Sequence, residues 1–192
     1  MRRQTLFTES LFCISSMITF SPYFSSSYNL LFSISSIRFK ETTTFEYEWV
    51  SNYARHQAYL TKGILIAVHD ERTGEKESFY FEGGIKSYVK RLNNGKEVLS
   101  DDIFYVEKQI ADSEVEIAVQ YNDTYSETMK PFANNVLTPD GGMHVVGFRT
   151  ALNRTINDYA RKNGLLKEKE DNLTADDIKE GLTAVILVKL PD

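Results

Sequence analysis

Asp140-Gly141-Gly142-Met143-His144-Val145-Val146-Gly147-Phe148-Arg149-Thr150-Ala151-Leu152-Asn153-Arg154-Thr155-Ile156-Asn157 decides how this chain is read. A glycine pair opens the stretch and a long helical period follows. Val145, Phe148, Leu152, Ile156 and Tyr159 recur at three- and four-residue steps, which puts them in one apolar stripe. Arg154 and Arg161 fall nearly opposite that stripe, with Asn157 between them. A polar back of this kind is either a solvated helix surface or a pair of guanidinium groups turned to a phosphate backbone. Arg149 lies at the edge of the stripe, where a half-buried side chain would serve structural hydrogen bonds. Gly141-Gly142 either permits a sharp entry with positive φ or bares the helix N-terminus to an anion. No phosphate-binding lysine accompanies the pair, which favours the sharp entry. Asn163-Gly164 stops the helix.

Outward from this helix the pattern is α+β. Toward the C-terminus, Leu165 to Asn172 is a charged linker, and Thr174 caps a short helix with Asp176 and Asp177 in its first turn. Thr183 to Leu190 is a final apolar strand. Toward the N-terminus, three strands are expected at Ile103–Glu107, Val115–Tyr121 and Ser126–Val136, the last ending in Asn134-Asn135. Ile85, Tyr88, Val89 and Leu92 have helical spacing. Ile64–Asp70 and Ser78–Glu82 read as a hairpin. Trp49–Leu60 reads as a helix with Trp49, Tyr53 and Leu60 near one side. The best boundary is Glu82-Gly83-Gly84, and the helices after it should cover one face of a sheet.

Bulk properties exclude several classes. The net charge of −5 over 192 residues rules out a generally basic nucleic-acid coat, so any DNA contact must be local. Cys13 is the only cysteine, which excludes an internal disulfide and a Cys-based metal site, and the lack of ligand spacing among His56, His69 and His144 argues against zinc. No window has the length of a membrane span. Asp101-Asp102 and Asp176-Asp177 are neighbours whose side chains diverge, and no Gly-x-Ser-x-Gly elbow or Walker loop occurs. No catalytic, cofactor-binding or metal residue is assigned. Residues 1–36 stay unassigned. Their Ser-, Phe- and Ile-rich composition fits a start out of frame with the domain that follows, an organelle transit peptide over residues 1–40, or a folded segment.

Several blocks carry a resemblance. They are Thr43-Thr44-Phe45-Glu46-Tyr47-Glu48, Glu82-Gly83-Gly84-Ile85-Lys86-Ser87-Tyr88-Val89, Phe132-Ala133-Asn134-Asn135, the glycine-pair helix, and Tyr159-Ala160-Arg161-Lys162 leading to Glu180-Gly181-Leu182-Thr183-Ala184-Val185-Ile186. In this order they resemble the ATPase (B) subunit of bacterial type IIA DNA topoisomerases, gyrase B and topoisomerase IV B. The resemblance implies a GHKL-type ATPase tail over residues 37–82 and most of a transducer domain over residues 83–192. It further implies a left-handed βαβ crossover shared with a ribosomal-protein domain, where general chain rules would give the opposite hand.

For function, the resemblance implies a fragment of an ATP-hydrolysing, cytoplasmic enzyme, gyrase more than topoisomerase IV, that couples ATP to DNA strand passage. Its partners would be double-stranded DNA, an A subunit and a second B subunit. ATP and Mg belong to the full-length family. Their ligands lie upstream of the matching blocks, and the γ-phosphate-touching Gln-Thr-Lys loop should follow Asp192, so the fragment alone is expected to be inactive and to bind neither. Arg154, Arg161 and Asn157 become candidates for facing DNA, and Gly141, Gly142, His144, Gly147, Phe148 and Arg149 form the structural signature. Met143 stands where the family usually has threonine. A non-catalytic nucleic-acid- or protein-binding module of the same fold is the alternative.

Overall fold

The computed structural model describes residues 17–22, 30–32, 46–167 and 169–191. The chain divides into two compact units, Met1–Gly84 and Ile85–Asp192.

The first unit contains β1 (Met17–Pro22), β2 (Leu30–Phe32), α1 (Tyr47–Leu60), β3 (Ile64–His69) and β4 (Lys76–Phe79). The strands form an antiparallel sheet in the order β2-β1-β3-β4. Thus β1 and β2 lie in the segment that composition leaves unassigned, and β1 pairs with β3 from Met17 opposite His69 to Pro22 opposite Ile64. The rest of residues 1–36 lies outside the described residues. Helix α1 buries Val50, Ala54 and Ala58 against Ile66, Val68 and Phe79. This corrects the expected apolar side. Trp49 is 60% exposed and stacks on Tyr53, with ring centroids 5.9 Å apart. The reason is steric: two alanines one turn apart let helix and sheet approach closely, and a large ring there would hold them apart.

The β3–β4 turn is fixed by charge. Asp70 is buried and accepts hydrogen bonds from the Arg72 backbone N–H (2.9 Å), Nε (3.0 Å) and Nη2 (2.6 Å). These bonds hold the Asp70 carboxyl down at about 2, against the upward push of its own burial.

The second unit contains α2 (Ile85–Leu92), β5 (Phe104–Ile110), β6 (Ser113–Tyr121), β7 (Thr128–Ala133), β8 (Val136–Leu137), α3 (Met143–Lys162), α4 (Ala175–Lys179) and β9 (Leu182–Lys189). Its sheet has the order β5-β6-β9-β7-β8. Strand β9 is antiparallel to β6 and parallel to β7, so α3 and α4 lie in a βαβ crossover between adjacent parallel strands. A continuous apolar run marks β9 as central, and Leu182 through Val188 are all buried.

Side-chain alternation assigns the faces. Val119, Leu182 and Ala184 meet Phe148 and Leu152 of α3. On the opposite face, Gln120 and Thr183 meet Asn93, just past the end of α2. Helices therefore lie on both faces, where one covered face was expected. The expected third strand is also corrected. Asn134 and Asn135 have φ of 48° and 64°, a left-handed pair that turns the chain back into β8. Asparagine tolerates that conformation better than other side-chain-bearing residues.

Candidate nucleic-acid interface

Helix α3 begins where Gly141, at φ 78°, makes the turn that the sharp-entry reading required. Gly142 is extended, and its use is spatial: a Cβ there would meet the His144 imidazole at 3.0 Å. The ring is held by a 3.2 Å hydrogen bond between Nε2 and Thr138 Oγ1, and Thr138 in turn donates through its backbone N–H to Pro131 O at 3.0 Å. The signature histidine thus ties the helix start to the end of β7. Gly147 is exposed and faces open space. Phe148 is half-buried in the core.

The expected apolar stripe is only partly covered. Val145 is buried, Phe148, Leu152 and Ile156 are half-buried, and Tyr159 is 63% exposed. Arg149 is more exposed than expected, and its Nη2 donates to Glu127 Oε2 at 2.6 Å.

The three residues proposed to face DNA do different things. Arg154 is open, its side chain 83% exposed, and it pairs with Asp158 at 3.6 Å in an i,i+4 contact. Asn157 is a correction: it is buried, not on the solvent-facing back. Its Nδ2 donates to Asn153 O (3.0 Å) and Leu173 O (3.1 Å), and its Oδ1 accepts from Leu173 N–H at 2.8 Å. The chain beyond α3 returns over this position, which helical periodicity could not show. Arg161 is half-buried under the same return. It donates from Nη1 to Lys167 O (2.6 Å), from Nη2 to Glu170 O (2.5 Å), and from Nε to Asn172 Oδ1 (3.0 Å). The return then enters α4 through a capping box formed by Thr174 and Asp177, whose carboxyl those hydrogen bonds hold below the usual range.

The sheet also carries an arrangement that sequence spacing does not show. Glu107, Glu114 and Glu116, from two strands, bring carboxylate oxygens within 4.8 Å of one another. Lys189 Nζ lies 2.8 Å from Glu114 and 3.6 Å from Glu116. Burial pulls the Lys189 ammonium down, and the two carboxylates more than offset this, so its pKa is raised overall. The lysine already supplies the cation such a cluster needs. Only the strand register reveals the group.

Three acidic residues of the first unit are engaged within the protein. Asp70 is saturated by Arg72, Glu75 accepts from Thr73, and Glu77 is engaged by Ser51 and Arg55. Gly84 does not cradle a phosphate: at φ 55°, a Cβ there would meet Lys62 Cγ at 2.5 Å. None of these four residues is left available to a nucleotide–metal group.

The second unit is thus a mixed sheet with α2 on one face and, on the other, the long glycine-entered α3 in a crossover between parallel strands. A family model described as DNA gyrase B matches residues 84–192, more than half of the chain, and the chain belongs to that family. It is 48% identical over 156 residues to the DNA gyrase B subunit of Streptococcus pyogenes serotype M3 and 51% identical over 153 residues to that of Clostridium acetobutylicum. These alignments cover 80% and 79% of the chain, which spans only 24% of each relative. Among solved structures, the 43K ATPase domain of Thermus thermophilus gyrase B, in complex with an aminocoumarin, superposes with a TM-score of 0.71 at 36% identity, over 77% of this chain and 40% of that one. The B-subunit of Myxococcus xanthus DNA gyrase shares the fold at 18% identity and a TM-score of 0.68, over 92% of this chain and 57% of that one. Among the described residues no helix is long and apolar enough to cross a membrane.

Proposed function

We propose that this chain is the relay segment of a gyrase B-type subunit in an ATP-dependent type IIA topoisomerase. Residues 37–82 would be the end of the ATPase domain and residues 83–192 most of the transducer. In the whole enzyme, working in the cytoplasm with an A subunit, a second B subunit and double-stranded DNA, the transducer passes nucleotide state to strand passage as rigid-body rotation. ATP and Mg act in the subunit as a whole, outside the residues described for this chain. The observation that carries the proposal is α3: twenty residues, tied to β7 at its start through His144 and Thr138 and to β9's side of the sheet through Phe148. A helix anchored in this way transmits rotation as a stiff rod.

Arg154 is the residue of α3 assigned to the transported duplex. Changing Arg154→Ala in a full-length subunit, assayed with its A subunit, should reduce DNA-stimulated ATPase and supercoiling at low salt, with the deficit changing as salt rises. Equal activity of the variant at low and moderate salt would remove Arg154 from the interface.

A further inference from the structure

Arg161 and Asn157 hold down the chain that returns from α3 to α4. Four guanidinium bonds reach Lys167 O, Glu170 O and Asn172 Oδ1, and every acceptor is neutral. Among the described residues no carboxylate forms an ion pair with Arg161, whose guanidinium is solvated by these neutral acceptors. The N–H groups of Leu165 and Leu166 also donate to Ala160 O, at 2.8 and 3.2 Å, which anchors the start of the return but not its middle. Leu165, Lys167 and residues 169–172 are exposed, Leu166 and Leu173 are half-buried, and a hydrogen bond from Lys167 N–H to Glu170 Oε2 closes the loop on itself. Segments with few apolar contacts and exposed hydrogen bonds are the ones that open locally without global unfolding. Asn157 grips the far end at Leu173 from a buried position and Arg161 grips the exposed middle, so the two grips differ in accessibility.

We propose that this return is an anion-sensitive strap: Arg161 clasps it in the free protein and releases it when a phosphate backbone competes for the same guanidinium, while Asn157 keeps the strap tethered at Leu173. A guanidinium binds phosphate bidentately and with charge assistance, which carbonyl acceptors do not match. The inference deepens the proposed function, because it gives DNA a way to loosen the end of α3 that leads into β9.

Hydrogen–deuterium exchange on the full chain tests both halves. Without DNA, Arg161→Gln should speed exchange in residues 165–173 about tenfold and leave peptides from β6 and β9 unchanged. Unchanged strap exchange in that variant overturns the clasp. With a short duplex at low salt, binding being followed separately by fluorescence anisotropy, strap exchange in the wild type should rise toward the variant's level, and the variant should show no further rise. A bound duplex that leaves or increases strap protection overturns the release. If no duplex binds, the release falls together with the interface assigned to Arg154, and the DNA-free comparison still decides the clasp. Asn157→Ala should free Leu173 whether or not DNA is present, and failure to do so overturns the tether.

Discussion

Helices α2 and α3 sit on opposite faces of one sheet and are built on opposite principles. The shorter one, eight residues long, buries Ile85, Tyr88 and Val89 and closes on a sealed polar network. Asn93 Nδ2 donates to Gln120 Oε1 at 2.8 Å and Thr183 Oγ1 to Asn93 Oδ1 at 2.6 Å, while Asn122 Nδ2 reaches both Asn93 and Thr183 at 3.1 Å. Buried polar groups satisfied this completely fix a single arrangement. The longer one, twenty residues, buries only Val145, Asn157 and Ala160. Length therefore does not measure attachment: α2 is held by fully enclosed residues, and α3 by three buried residues together with Phe148 and Leu152 packed half-buried against the sheet.

Substitutions can break this contrast. The largest effect is expected at Asn93→Ala, which leaves Gln120, Asn122 and Thr183 short of partners, at a cost of about 2–4 kcal/mol. Urea unfolding should show a lower midpoint with an unchanged slope. Next, the contrast sharpens if Tyr88→Ala costs about 3–4 kcal/mol and Phe148→Ala about 1–2 kcal/mol in the same assay, since only the first ring is fully enclosed. Equal losses would show that α3 is as tightly held as α2.

A smaller effect concerns the first unit and carries a pH signature. The Asp70 carboxyl titrates at about 2 in the folded chain, below its ordinary 3.8. A depressed carboxylate contributes stability that is complete above the unfolded value and is lost as pH falls through the folded one. The loss should run from about pH 4 to pH 2, and Arg72→Leu should flatten that part of the curve when stability is followed against pH. The smallest effect belongs to the exposed Arg154–Asp158 pair. Asp158→Ala should change stability by less than about 0.5 kcal/mol, while duplex affinity, if Arg154 faces DNA, should rise as its competing carboxylate disappears.

Much of this architecture was legible in the residues. The unbroken apolar run from Thr183 to Leu190 announced a strand, though not its central place in the sheet, and the glycine pair and 3.6-residue period announced α3. The failures share one cause. Asn157 looked solvent-facing because its neighbours on the helix were polar, yet a segment sixteen residues later returns to bury it. Arg161 was covered by the same return. Spacing put Trp49 and Tyr53 on one side with Leu60, yet Val50, Ala54 and Ala58 face the sheet, because small residues let helix and strands approach closely. The Glu107, Glu114, Glu116 and Lys189 group depends on a strand register that no local pattern encodes. Periodicity gives an element and its stripe; what lies across the stripe is decided by parts of the chain not yet in the window.

Strand β9 lies in the middle of its sheet and follows in sequence both strands it joins. Lys189 meets Glu114 across 75 residues of chain. A polypeptide growing from the ribosome would carry β6 and β7 with their inner edges open until residues 182–189 emerge to fill the gap. The sheet therefore cannot close until that strand has emerged, a pairing of high sequence separation that slows folding, and until then its two unsatisfied edges are the natural targets for chaperones or for misassembly with another nascent copy.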